Sequence, residues 1–122
     1  MKILGVDYGR RKVGLAISEG VLSEPWKVLR VNNFEDAVKK VLEIQKVNYI
    51  DKTIVGVSEG EMGEESERFA KKVSAETFDE TLSTHLAQEL SKEGNVGREK
   101  RKSLEDAYAA SVMLQSYLDS YV

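Results

Sequence analysis

Four acidic side chains stand where a chain could do metal-assisted chemistry. Asp7 directly follows the apolar run KILGV, Asp79 and Glu80 close AETFDE, and Asp106 lies just behind the basic segment REKRK. If such carboxylates meet, a cation must relieve their repulsion. The chain has no cysteine, and its one histidine, His85, is expected on a helix surface, so hard oxygen donors select Mg2+ or Mn2+. One or two such ions can activate a water and stabilise the departing oxygen in phosphodiester cleavage. Taken singly, each acid also has an ordinary structural job. Asp7 suits the start of a turn. Asp79 and Glu80 precede a predicted helix, whose positive end favours negative charge. Ser103-Leu104-Glu105-Asp106 has the form of a capping box with Ser103 as the cap, which would place Asp106 in the first turn of a helix.

Two groups of cations accompany these acids: Arg10, Arg11 and Lys12, then Arg98, Lys100, Arg101 and Lys102. Such side chains neutralise backbone phosphates and position a nucleic acid without reading its sequence. The net charge of −3 argues against coating nucleic acid through bulk charge. With a screening length of about 8 Å, however, a phosphate responds to its nearest charges, so local basic patches on an acidic protein are compatible with that role. The plainer alternative is that both patches are solvated loops. Residues 59–67, EGEMGEESE, carry five glutamates and no cation, and read as an acidic loop.

The elements that must hold these groups follow from the hydrophobic pattern. KILGVD and KVGLAIS form a hairpin, with Gly9 closing the turn and Gly14 permitting close packing. WKVLRV follows the only proline, Pro25, as a third strand. Asn33 caps a helix with Asp36 three residues on, running to about Lys46. TIVGV is a short buried strand, Ser66 to Val73 a helix, and AETFDE another strand. Leu82, Leu86 and Leu90 mark the next helix. EGNVGREKRK, residues 93–102, has no apolar pattern and reads as a mobile loop. Leu104, Ala107, Tyr108, Ser111, Leu114, Gln115, Leu118 and Tyr121 then define one face of a closing helix. The expected fold is α/β: one domain over residues 1–122, with a mixed sheet of a three-stranded antiparallel meander plus two parallel strands, and helices on both faces. Ligands gather at the carboxyl ends of strands in such sheets. No apolar stretch suits a signal peptide or a membrane span, so a cytoplasmic protein without a membrane partner is expected, as a monomer or homodimer.

Three ordered motifs resemble the YqgF/RuvX family: ILGVDYGRRKVGLAIS, FDETLSTHLA and EDAYAASVMLQSYLD. The resemblance implies a ribonuclease H-like fold related to Holliday-junction resolvases and a nuclease role in maturing the 5′ end of pre-16S ribosomal RNA. It further implies Asp7, Glu80 and Asp106 as catalytic metal ligands, with Asp79 the rival to Glu80 because adjacent strand residues point to opposite faces. Branched DNA is the alternative substrate, and a non-catalytic nucleic-acid-binding module the alternative role. The Asp-x-Gly turn also opens two-domain ATPase folds, for which this chain is too short. The chain departs from the family pattern where Arg10 and Lys12 replace the usual Thr and Arg, and Lys lacks the bidentate fork of Arg. It departs again at VSEGEMG, which keeps only the final Met-Gly of the usual loop and gains glutamates. Exposed glutamates near a phosphate path would each oppose binding by about 1 kcal/mol.

Overall fold

The computed structural model describes residues 1–79 and 98–120, with 98–104 as backbone alone. Five strands form one sheet in the order β3-β2-β1-β4-β5: β1 (Ile3–Asp7), β2 (Lys12–Ser18), β3 (Ser23–Arg30), β4 (Lys52–Val57) and β5 (Glu76–Asp79). The meander β1-β2-β3 is antiparallel, while β4 runs parallel to β1 and β5 parallel to β4. This is the expected mixed sheet. Its central strands carry apolar residues on both sides, as strands covered on both faces must. Leu4, Val6, Val13, Leu15 and Val55 pack against one pair of helices, and Ile3, Ala16 and Ile54 against a third helix opposite.

The first pair is α1 (Phe34–Val47) and α2 (Glu61–Lys72). Asn33 caps α1 as its sequence predicts: its Oδ1 accepts from the Asp36 amide at 2.8 Å, and the Asp36 carboxylate accepts from the Asn32 amide at 2.9 Å. Ala37 and Val41 of α1 and Phe69 and Ala70 of α2 fill the core beneath. The opposite face belongs to α3 (Arg98–Asp119), which buries Ala110, Met113, Leu114, Tyr117 and Leu118. Among the described residues, no helix is long and apolar enough to cross a membrane.

Four expectations change. β3 begins at Ser23, so Pro25 lies within a strand; it is tolerated because β3 is an edge strand and the register slips beside it, Leu15 pairing with Lys27 and Ala16 with Pro25. The glutamate-rich stretch is not a loop but the opening of α2, whose first turn carries Glu61 and Glu64, where the helix dipole favours acids. Met-Gly survives there because a side chain at Gly63 would strike the Ser58 carbonyl. REKRK is likewise helical, being the first residues of α3, built from good helix formers with no breaker before Ser103. Ser103 therefore is no cap, and Asp106 lies about two turns into the helix. The expected helix over Leu82, Leu86 and Leu90 lies outside the described residues, as does Tyr121.

The turn after β1 is pinned from below by Tyr8. Continuing the inward alternation of Leu4 and Val6, its ring stacks on Phe69 at 4.7 Å and meets Phe34 edge-on at 6.1 Å. Its hydroxyl donates to Glu65 of α2 at 2.6 Å, and Arg10 Nε donates to the same carboxylate at 3.2 Å. The hydrogen bond from Tyr8, then that from Arg10, hold the Glu65 carboxyl below its usual range, whereas burial first and Glu65 second push the Tyr8 hydroxyl well above its own. A carboxyl with a depressed folded value stabilises the fold above its ordinary value of 4.5, and that contribution fades as pH falls through the folded value. Tyr8→Phe is expected to lower stability at pH 7 by about 1.5 kcal/mol, the low end for a hydrogen bond to a charged group because Arg10 remains. The gap from the parent should narrow as the pH falls from the ordinary value of 4.5 through the depressed folded value. Urea titrations at pH 7 and pH 3.5 measure both.

Candidate metal and nucleic-acid site

Asp7 closes β1 on the face covered by α3. It alternates there with Ile3, which packs against α3, and Gly5, where an added Cβ would sit 2.9 Å from Leu114 Cβ and 3.3 Å from the Ala110 carbonyl. Across the hairpin, Asp7 pairs in register with Gly14, which lies inside β2 rather than in the turn. No side chain fits at position 14. It would collide with the Asp106 carbonyl, and the Ala107 amide nitrogen is only 2.9 Å from the same point. The backbone of α3 at Asp106 therefore occupies the space beside Asp7, roughly 5 Å from its Cβ by the spacing of opposed strand positions. Asp7 and the backbone at Asp106, nearly a chain length apart in sequence, thus come close at the carboxyl end of β1.

Asp106 is half-buried, and burial pushes its carboxyl above the ordinary value; the nearby Lys12 ammonium pulls it down and Glu105 pushes it up. Lys12 begins β2 on the same face as Gly14 and Ala16, so a cation flanks the acid pair. Asp79 lies elsewhere. In β5, Glu76 and Phe78 face α3: the Tyr117 hydroxyl donates to Glu76 at 3.1 Å, and the Phe78 and Tyr117 rings meet edge-on at 5.8 Å. Asp79 alternates with them onto the α2 side, where it lines a cleft of about 310 Å³ with Ser58, Glu59 and Glu67. Glu80 lies outside the described residues. Among the described residues no group of three or more histidines or acids is placed to hold an ion.

Arg10 and Lys12 do not share one patch. Arg10 turns toward α2 and Glu65, whereas Lys12 lies near Asp106 on the α3 face. Arg11 is exposed, and its carbonyl accepts from the Val31 amide at 2.9 Å. Arg98, Lys100, Arg101 and Lys102 occupy the helical turns that lead into Asp106. Gly9 closes the turn by close approach, since a Cβ there would meet the Lys12 carbonyl at 2.6 Å. Tyr8 and Glu65 escape the search for chemistry in the sequence. The period-2 alternation of Leu4, Val6 and Tyr8 signals where Tyr8 points, but nothing local marks Glu65 among its neighbouring glutamates. Gly14→Ala is expected to push α3 off the sheet and destabilise the protein by about 1–3 kcal/mol, the usual range for overpacking. Thermal or urea unfolding checks this.

Comparison with known proteins agrees with this architecture. A family model described as "RuvX: Holliday junction resolvase" matches residues 1–120. A Bacillus cytotoxicus protein named "Putative pre-16S rRNA nuclease" is 35% identical, with 98% of this chain and 99% of that protein covered. A Clostridium tetani protein of the same name is 34% identical, covering 98% and 97%. Among solved structures, Thermus thermophilus RuvC in complex with a Holliday junction substrate superposes with a TM-score of 0.65 at 14% identity, covering all of this chain and 97% of that one. The fowlpox virus Holliday junction resolvase gives 0.61, also at 14% identity, with both chains fully covered. These two likenesses establish the ribonuclease H-like resolvase fold. Matched by its family model over almost its full length and by relatives above 30% identity, the chain belongs to the RuvX family.

Proposed function

We propose that this RuvX-family nuclease is a metal-dependent phosphodiesterase that processes the 5′ end of pre-16S ribosomal RNA in the cytoplasm. The observation that carries the metal site is the meeting of Asp7 with the α3 backbone at Asp106 over Gly14. The substrate is that for which the relatives are named, and they match this chain over nearly its whole length. The donor set fits Mg2+ or Mn2+: carboxylate oxygens on one face, in surroundings that penalise an uncompensated second charge. Asp7, Asp106 and Glu80 would hold one or two ions. Asp79 is set aside because it lies on the opposite face. When bound, such ions supply an activated water and charge neutralisation at the departing oxygen.

The chain's own residues supply position and charge. Lys12 acts on the Asp106 carboxyl with its positive charge and would help neutralise a phosphate approaching that acid. The turns of α3 that hold Arg98, Lys100, Arg101 and Lys102 lead into Asp106, and these cations would neutralise further phosphates. The likeness to a resolvase held on a Holliday junction, together with the family's description, favours branched DNA as a second substrate.

The test sets a 5′ pre-16S rRNA fragment and a four-way DNA junction side by side with Mg2+ or Mn2+. Asp7→Asn and Asp106→Asn are expected to lower cleavage at least about 100-fold, since even outer partners of a metal site are worth 10–100-fold. Asp79→Asn should stay within about threefold of the parent, being remote from the pair. Chelation with EDTA should abolish cleavage. Cleavage that survives Asp7→Asn contradicts the metal-site assignment, and junction cleavage with inert RNA transfers the assignment to branched DNA.

A further inference from the structure

Resting on that nucleic-acid reading, we propose that Glu65 is a positioning residue that sets Arg10, gripped at its Nε, as a phosphate anchor at the same end of the sheet as Asp7. Arg10 is unlike an ordinary surface arginine. Its Nε lies 3.2 Å from one oxygen of Glu65 and 3.4 Å from the other. That contact uses one of the five N–H donors of a guanidinium and leaves the four on the terminal nitrogens. Among the described residues those four have no hydrogen-bond partner. The Arg10 side chain is 62% exposed while that of Glu65 is 14% exposed, so the grip lies at the surface's inner edge and the open donors face outward. Such an arrangement limits the rotamer freedom that an exposed arginine would otherwise lose on meeting a phosphate.

Glu65 itself is fixed. The buried Tyr8 hydroxyl donates to it at 2.6 Å, and Phe69, one turn along α2, stacks on the Tyr8 ring. Displacing Glu65 would cost its hydrogen bonds from both the buried Tyr8 hydroxyl and Arg10, so Glu65 acts as a support for Arg10 and not as a competitor for it. Arg68 lies three residues beyond Glu65, on the same side of the helix, and its positive charge acts on the Glu65 carboxylate. Arg68 thus adds a second guanidinium whose charge acts on the Glu65 carboxylate. Asp7 and Tyr8 are adjacent residues on opposite faces, so a backbone crossing the end of the sheet meets the acid pair on one side and Arg10 on the other.

The sign of one substitution decides the matter. Removing a glutamate from an acidic surface should tighten nucleic-acid binding if charge alone matters, whereas removing a support should weaken it. Binding is measured by fluorescence anisotropy in an Asp7→Asn background, with a labelled four-way junction and a labelled precursor-rRNA hairpin, over a salt series. Arg10→Ala is expected to weaken binding and to reduce the slope of log K against log salt by about one. Glu65→Ala is expected to weaken binding about three- to tenfold, the scale of one net hydrogen bond. Glu65→Gln, which keeps an acceptor in place, should recover most of that loss, and Glu65→Ala should add nothing once Arg10 is already Ala. The pair Tyr8→Phe with Glu65→Ala avoids leaving a buried hydroxyl unpaired and should behave like Glu65→Ala alone. Tighter binding by both Glu65 variants overturns the proposal, and so does an equal loss with and without Arg10. Each of those outcomes leaves the nuclease reading standing. A parent protein that binds neither nucleic acid overturns both.

Discussion

The close approach of α3 to the sheet at Gly14 is the constraint on which the candidate site depends. Helices normally rest on a sheet through side chains; here the helix backbone enters the space where a side chain of β2 would stand, because residue 14 has none. Gly5 and Ala16, in register with each other, keep the neighbouring surface shallow, so Ala110 and Leu114 settle against the sheet along the same line. The hairpin register then does the rest, since the partner of Gly14 is Asp7. The acid that ends the first strand is thereby brought beside the backbone of the last helix at Asp106. The apolar layer behind them, with Met113, Tyr117 and Leu118, holds the helix at that depth.

The two faces of the sheet divide the work. On the α3 side lie the carboxylates and Lys12. On the other side an aromatic cluster of Tyr8, Phe34 and Phe69 ties the turn after β1 to both helices of that layer. Adjacent residues of one strand thus serve opposite layers, Asp7 facing α3 and Tyr8 facing α1 and α2. Because Tyr8 is buried and hydrogen-bonded, the strand end that presents Asp7 cannot twist or slide without breaking the aromatic packing. The same alternation separates Asp79 from its strand neighbours and removes it from the acid pair.

Much of this was legible in the sequence, and the parts that were not share a physical cause. The β1–β2 hairpin, the Asn33 cap and the parallel strands are written in short-range patterns of apolar residues and capping groups. The acidic opening of α2 and the basic opening of α3 are highly charged segments without an apolar stripe, and charge alone does not separate an exposed helix from a solvated loop. Reading REKRK as a loop made Ser103 look like a cap and gave Asp106 a false structural role; with the helix begun at Arg98, that role disappears. The nearness of Asp7 and Asp106 is set by long-range packing over a glycine. Family resemblance could suggest it, but local pattern could not. Glu65 is hidden for the same reason, as one glutamate among five until the fold sets Tyr8 and Arg10 beside it.

The central claim is that packing at Gly14 creates a shared metal site from acids that are otherwise far apart. The most direct measurement is titration of Mn2+ into the parent protein and into Gly14→Ala, at a temperature where both remain folded. Every carboxylate is present in both proteins, so only their juxtaposition differs. The account predicts saturable binding by the parent that Gly14→Ala weakens at least about tenfold, the scale by which disturbed ligand orientation lowers metal affinity. Equal affinity in the two proteins would contradict it.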